Sequence, residues 1–173
     1  LIGQTISISY SGCINCVVSG NRIKKTYGDG MSYDAFKSSP LAVESIIRPE
    51  LSKIHEGIAL RDYEWEMKHH LQPHYVYLSK TAGIKVGVTR TTQIPTRWID
   101  QGAHHAIKFA KTPNRYLAGM IEKELSEKLS DRTQWRKMLQ GNYDTTINLL
   151  DKKNVLANSL SKEYKQYIST NNT

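Results

Sequence analysis

The sequence predicts an α+β fold: a small mixed or antiparallel three-stranded sheet flanked by helices, with a small β module before it. Alternating apolar and polar residues predict strands at residues 75–78, 85–89 and 106–110. After Pro113, apolar residues recur every three or four positions as far as Leu129, which predicts a long helix packed on that sheet. The predicted organisation is a β module over residues 1–36, a connecting segment with short helices over residues 37–73, and an α+β domain with C-terminal helices over residues 74–173.

The N-terminal module is expected to be a short meander of two or three strands. Ile6, Ile8 and Tyr10 alternate with polar residues and predict its first strand. The Ser-Gly-Asn sequence at residues 19–21 predicts a turn that leads to a strand near Ile23. A meander of this size needs further packing to be stable.

Two cysteines, Cys13 and Cys16, are spaced as CxxC in a turn-rich context. A four-thiolate zinc site needs a second such pair, and the sequence has none. The expected state is therefore a reduced thiol pair without zinc, in a cytoplasmic protein.

The connecting segment is interrupted by Pro40 and Pro49, which prevent one long helix. Short helical pieces are predicted at residues 49–55 and 62–70. In the second piece Glu66 and His70 are four residues apart and share a helix face, an arrangement that can bind a metal ion. An exposed Glu and His on a short helix is the commoner explanation, and no completing ligand is identifiable, so no metal site is predicted here.

The first two strands of the α+β domain predict a hairpin turned at residues 79–83. If the valines and Leu78 face the core, the other face carries Tyr75, Tyr77, Lys85, Gly87 and Thr89. Gly87 removes a side chain from that face and would let a ligand approach the backbone.

The rest of the chain is predicted to be mostly helical. A short helix spans residues 95–102, with Arg97 and Trp98 inside it, and Thr112 and Pro113 are the expected N-cap and first residue of the long helix. Two more helices are expected at residues 132–139 and 145–167, followed by a frayed tail at residues 171–173.

Composition constrains partners more than it constrains chemistry. Twenty-four Lys and Arg against sixteen Asp and Glu give a net charge of +8 and a pI near 9.4. This favours a polyanionic partner such as nucleic acid, although a basic soluble enzyme with scattered charges is an equal alternative. No apolar run is long enough to span a membrane, and no charged-then-apolar leader opens the chain at Leu1, so the original start is expected to have been trimmed, processed or left unseen.

Several of these residues together resemble the GIY-YIG nuclease superfamily over about residues 74–130. The shared features are Tyr-Val-Tyr at residues 75–77, Lys-Val-Gly at residues 85–87, the Arg97-Trp98 pair, a later helix that carries Glu122, and the β, β, α, β, α order. The resemblance implies that Tyr77 activates water, that Arg97 stabilises charge on a scissile phosphate, and that Glu122 holds a divalent metal such as Mg²⁺ or Mn²⁺.

The same resemblance implies a nucleic-acid-binding surface. Its expected residues are Tyr75, Lys85, Gly87, Arg90 and Trp98. Two positions depart from the superfamily pattern: Tyr75 replaces the Gly that opens its first motif, and Lys85 replaces the first tyrosine of its second. Lys85 can contact phosphate, so binding could persist where cleavage is lost.

A closer resemblance extends over most of the chain. The segments KVGVTR at residues 85–90 and QIPTRWIDQGA at residues 93–103 look like a bacterial family known only as a domain of unknown function. Its members usually carry more cysteines, including a second CxxC where Ser32 and Ala35 stand here, with others near positions 45, 52, 59 and 70. A zinc ribbon is therefore expected to be absent or degenerate in this chain.

Three functions remain open at this point. The first is a metal-dependent nuclease acting on DNA or RNA. The second is a nucleic-acid-binding module on the same fold without catalysis, and the third is a protein-interaction or regulatory domain.

Overall fold

The structure, a computed structural model, describes residues 3–129, 135–141 and 147–170. The chain forms two compact units, one ending at Val43 and one beginning at Glu44. Within the described residues, no helix has the length and apolar character needed to cross a membrane.

The first unit contains a two-stranded antiparallel sheet and one short helix. β1 (Ile14–Asn15) pairs with β2 (Arg22–Ile23), and α1 (Tyr33–Ser38) begins after Ser32, whose side chain accepts a hydrogen bond from the Ala35 N–H. The strand predicted at Ile6, Ile8 and Tyr10 does not form, and these side chains are 62%, 90% and 73% exposed. Alternation produces a strand only where one face has something to pack against, and a sheet with two residues per strand offers no such face.

The second unit opens with short 3₁₀ turns followed by α2 (Tyr63–His70). The predicted helix at residues 49–55 is instead two 3₁₀ turns, Pro49–Leu51 and Ile54–Glu56. The prediction of an exposed Glu66 and His70 is wrong, because these two are the buried residues of α2. One Glu66 carboxylate oxygen accepts hydrogen bonds from the three backbone N–H groups of residues 60–62, which explains its burial.

Three antiparallel strands form the sheet of the second unit, which confirms the predicted fold class. β3 (His74–Lys80) lies in the centre, with β4 (Ile84–Arg90) on one side and β5 (His105–Thr112) on the other. The register pairs Tyr77 with Gly87, so the two lie side by side on one face, as the alternation predicted.

A β-bulge changes the facing of residues along β5. Val76 pairs with Ala110 but Tyr77 pairs with Lys108, so Phe109 is the extra residue between them. Because the register shifts there, Lys108 and Lys111 lie on the same face as Tyr75 and Tyr77 although they are three residues apart.

The hydrophobic core lies on the opposite face of the sheet, under two helices. These are α4 (Arg115–Ser126) and α6 (Leu149–Ser159), and the core they form with the strands includes Val76, Leu78, Val86, Phe109, Ala118, Ile121, Leu125, Leu149 and Leu156. Gly119 lets α4 approach the Pro49–Leu51 turn, because a Cβ at this position would lie 2.5 Å from the Pro49 carbonyl carbon.

Helix boundaries differ from several predictions. The N-cap of α4 is Asn114 and not Thr112, whose hydroxyl donates instead to the Asn114 carbonyl at 2.9 Å. The predicted last helix ends at Ser159 and is followed by a separate 3₁₀ helix, Lys162–Tyr167, because the Leu160 backbone is extended. Two further short helices are α3 (Thr96–Asp100) and α5 (Trp135–Leu139). The predicted helix starts at residues 132 and 145 and the predicted tail at residues 171–173 lie outside the described residues.

Candidate active site around Tyr77

Tyr77 is a fully buried polar side chain in the middle of the central strand. Its relative exposure is 0%, yet it lies outside the hydrophobic cluster that fills the other face of the sheet. Its hydroxyl group donates a hydrogen bond of 2.8 Å to Oε1 of Gln101, which follows α3. A buried phenol needs such a partner, and this one ties β3 to the end of α3.

Gly87 provides the space for the Tyr77 ring. A Cβ at position 87 would lie 2.6 Å from the Tyr77 hydroxyl oxygen and 2.7 Å from Cζ. The sequence predicted that Gly87 opens this face to a ligand, whereas the structure fills the space with the neighbouring tyrosine. Trp98 closes the other side of the ring, with ring centroids 6.2 Å apart in an edge-to-face arrangement.

Arg97 and Glu122 lie close enough to Tyr77 to influence its ionisation. Burial raises the pKa of Tyr77, and the charge of Glu122 raises it further, while Arg97 opposes both as a positive charge and as a hydrogen-bond donor. The three residues predicted to be catalytic therefore converge, from β3, α3 and α4. Arg97 is exposed and Glu122 is half-buried, so the cluster opens to solvent on the arginine side.

Arg115 is a member of this cluster that the sequence did not suggest. It lies two helical turns before Glu122 on α4, and its guanidinium donates hydrogen bonds of 2.7 Å to each of the Ser45 and Ile46 carbonyl oxygens. Burial lowers the pKa of Arg115 to about 10, with Glu122 opposing the shift and Arg90 and Arg97 adding to it. Arg115 thus keeps its charge at neutral pH and is held rigidly.

The residues predicted to bind nucleic acid occupy different positions around this cluster. Lys85 and Tyr75 lie on the Tyr77 face of the sheet, opposite Ser79 and Thr89 respectively. Arg90 ends β4 and donates a 2.6 Å hydrogen bond from Nη1 to Nδ1 of His69. The pKa of His69 is lowered by burial and then by the charge of Arg90, so this imidazole is neutral.

Trp98 has a buried polar atom without a hydrogen-bond partner among the described residues. Its indole Nε1 is buried and makes no hydrogen bond within the part of the chain that the structure describes. An unpaired buried N–H is a costly group that a bound oxygen ligand would satisfy. It lies on the same helix as Arg97, next to Tyr77.

A magnesium ion fits this site only with additional ligands. Mg²⁺ is commonly held by one or two carboxylates together with water and substrate phosphates, so Glu122 can supply the protein ligand. No group of three or more His, Cys, Asp or Glu residues able to hold a metal ion occurs within residues 3–129, 135–141 and 147–170. With Arg90, Arg97 and Arg115 acting on the same region, a cation would bind together with an anionic substrate.

Positions expected to hold cysteines in relatives come together in two places. In the first unit the Ser32 N–H donates a 3.1 Å hydrogen bond to Sγ of Cys16, and bonds from Ser19 and Ser32 lower the pKa of Cys16 to about 6. In the second unit Ser52 Oγ lies 3.5 Å from Nδ1 of His70. Neither serine is a usual zinc ligand, so these residues do not fit a structural zinc ion.

Comparison with known proteins gives a family and no function. A family described as protein of unknown function (DUF2797) matches residues 3–173. No curated protein and no solved structure matches the chain significantly.

Proposed function

We propose that this chain, which belongs to the DUF2797 family, cleaves nucleic-acid phosphodiester bonds at the Tyr77 site. The observation that carries the proposal is the convergence of Tyr77, Arg97 and Glu122 on one location from three different elements. These are the residue types, in the same chain order, by which the sequence resembles GIY-YIG nucleases. The net charge of +8 suits the polyanionic substrate.

Arg97 is the residue best placed to contact phosphate. Its side chain is exposed, and it acts on Tyr77 as both a charge and a hydrogen-bond donor. A guanidinium can bond two phosphate oxygens at once and stabilise the charge that develops on them in the transition state. Arg115 is committed to two carbonyl oxygens, so it contributes positive potential and not a direct contact.

Tyr77 positions the attacking water in this proposal. Its raised pKa keeps the phenol protonated at neutral pH, and the hydroxyl hydrogen is directed to Gln101. Arg97 donates to the hydroxyl oxygen, and a remaining lone pair can accept a hydrogen bond from the attacking water and orient it. The proton that this water loses would pass to a phosphate oxygen of the substrate, because the protonated phenol cannot take it.

Glu122 would hold the divalent metal ion. When bound, Mg²⁺ or Mn²⁺ supplies charge neutralisation at the phosphate and the leaving oxygen. Glu122 is two helical turns from Arg115, and the opposite charges of the two side chains attract each other.

The test is cleavage of a plasmid and of labelled oligonucleotides with Mg²⁺ or Mn²⁺, with EDTA as the blank. We expect Arg97→Ala and Glu122→Gln each to lower the rate about 100-fold or more, the scale seen when one charge-stabilising group is removed. Matched controls are Arg22→Ala in the first unit and Glu127→Gln at the end of α4, which should cleave like the wild type. Absence of cleavage with either metal would reject the proposal.

A second candidate, nucleic-acid binding without cleavage, is favoured by the burial of Tyr77. A phenol at 0% exposure that already donates to Gln101 is well suited to rigidify the sheet beneath a binding surface. Salt-sensitive binding without cleavage under any metal would select this function, and loss of both would leave an interaction domain.

A further inference from the structure

We infer that the sheet face carrying Tyr75, Lys108 and Lys111 binds single-stranded nucleic acid, with Tyr75 stacked on an unpaired base and the lysines on the flanking phosphates. This deepens the proposed function and rests on it, because Lys108 pairs directly with Tyr77 in the ladder and the surface therefore leads to the proposed cleavage site.

The bulge in β5 is what creates this surface. In a regular strand, residues three apart point to opposite faces, so Lys108 and Lys111 would be separated by the sheet. The extra residue at Phe109 puts both lysines on the Tyr75 face. Lys85, from β4, lies on the same face, and no Asp or Glu occurs on this face of the three described strands.

Tyr75 has the surroundings of a stacking platform. Its side chain is only partly buried, and the Lys108 ammonium group lies over its ring, 5.2 Å from the ring centroid. Lys111 is its direct neighbour in the ladder and is exposed. A π-surface with two cations beside it matches one base and the phosphates next to it.

Protection of a sheet edge does not account for these lysines. Lysine is common on edge strands because it prevents pairing with another chain. Between the two lysines the outer edge of β5 is already paired, since Ala110 forms a bridge with Ile168 and the Ser169 N–H donates a 2.9 Å hydrogen bond to the Phe109 carbonyl. Residues 168–169 already protect this part of the edge, so edge protection does not explain the two lysines on the face of the sheet.

The aromatic ring discriminates single strands from duplexes. In a duplex the base faces are stacked on one another, and a protein contacts mainly phosphates and groove edges. An unpaired base exposes its face to an aromatic side chain, a contact that tolerates any sequence. Lysines alone would serve both forms, whereas Tyr75 favours the single strand.

The test measures affinity by fluorescence anisotropy in EDTA for two ligands. One is a fluorescein-labelled mixed-sequence single strand of about 20 nucleotides, and the other is its blunt-ended duplex. The full chain should bind the single strand roughly fivefold or more tighter, the gain from one stacked base. Tyr75→Leu should lose about five- to a hundred-fold for the single strand and little for the duplex, whereas Tyr75→Phe, which keeps the ring, should bind like the wild type.

The lysines are tested by salt dependence. Lys108→Gln with Lys111→Gln should lower the slope of log affinity against log salt by about 1.4 for the single strand, that is, about 0.7 for each lost phosphate contact. Lys162→Gln, from the 3₁₀ helix that packs on the core side, is the matched control and should leave the slope unchanged. Thermal unfolding of each variant verifies folding. If Tyr75→Leu does not fold, the wild-type preference for the single strand and the salt slope of the lysine variant still test the inference.

The outcomes separate this inference from the proposed cleavage. Single-strand preference that depends on Tyr75, without cleavage under any metal, supports the inference and rejects the nuclease. Cleavage that depends on Arg97 and Glu122, with equal binding of both forms or equal loss in Tyr75→Leu, rejects the inference and retains the nuclease.

Discussion

The contact between Gly87 and Tyr77 is the feature of the site most open to a quantitative test. In Gly87→Ala the new Cβ would lie 2.6 Å from the Tyr77 hydroxyl oxygen and 2.7 Å from Cζ, too close for either atom to stay in place. The ring must move, and its movement breaks the 2.8 Å hydrogen bond to Gln101. We therefore expect loss of both stability and site geometry from the addition of one methyl group.

The expected cost can be estimated from its parts. Overpacking a filled space costs about 1–3 kcal/mol, and leaving a buried hydrogen-bonding group without its partner costs about 1–3 kcal/mol. Replacing glycine restricts the unfolded chain and returns about 0.4–1 kcal/mol. The free energy of unfolding should therefore fall by roughly 1–6 kcal/mol, with a central value near 3, when these ranges are combined.

Urea denaturation followed by tryptophan fluorescence reports on the second unit, which contains Tyr77 and Gly87. All three tryptophans, Trp65, Trp98 and Trp135, lie in that unit. Gly83→Ala is the matched control. Position 83 lies in the same hairpin, and no atom of the described residues lies within 4 Å of a Cβ placed there, so the substitution should be neutral or slightly stabilising. In a Tyr77→Phe background the cost of Gly87→Ala should shrink by about 1 kcal/mol, because one of the two clashing atoms is gone. Equal effects of Gly87→Ala and Gly83→Ala would refute the reasoning.

Three other predictions concern the fold around the site. Burial lowers the pKa of His70 to about 3 and of His74 to about 4, so between pH 6.5 and about 4 only the unfolded chain takes up these protons. The free energy of unfolding should therefore fall, as the pH decreases, by up to about 1.4 kcal/mol per pH unit for each histidine. His74→Gln should remove about half of this slope in urea titrations, and a slope unchanged by the substitution would contradict the prediction. Gly119→Ala should destabilise the second unit by roughly 2 kcal/mol or more despite alanine's helix preference, because its Cβ overlaps the backbone of Pro49 and Glu50; unchanged urea midpoints would be inconsistent with the close approach. Ser32→Cys with Ala35→Cys should give the first unit one zinc ion per chain in metal analysis, since the Ser32 N–H already contacts Cys16 Sγ, whereas the wild type should hold less than one; stoichiometric zinc in the wild type would overturn this.

The sheet and its helices could be predicted because the pattern and the packing agree. Val76, Leu78 and Val86 alternate with polar residues, and a buried face exists on which they pack. Ile6 and Ile8 alternate equally well, but no face is offered to them and no strand forms. Local pattern therefore predicted structure only where tertiary packing supplied the matching surface.

The sequence predicted the candidate catalytic residues but not the residues that hold them in place. Tyr77, Arg97 and Glu122 could be named from the order of motifs along the chain. Gln101 and Arg115 could not, because their roles depend on contacts between residues far apart in the sequence. Gln101 accepts the hydrogen bond of Tyr77. Arg115 donates hydrogen bonds to the carbonyl groups of Ser45 and Ile46, about seventy residues away. Periodicity carries no information about such contacts.

The charges around Tyr77 predict that a metal ion binds together with nucleic acid, and this prediction can be tested. Glu122 is the carboxylate that acts on Tyr77, whereas Arg90, Arg97 and Arg115 bring positive charge to the same region. Removing one positive charge should therefore help a free cation to bind and harm a phosphate. We expect Arg97→Ala to bind Mn²⁺ more tightly than the wild type without nucleic acid and less tightly with a non-cleavable oligonucleotide present. Calorimetry can measure both affinities, and a parallel change in the two would mean that Arg97 does not share a site with Glu122.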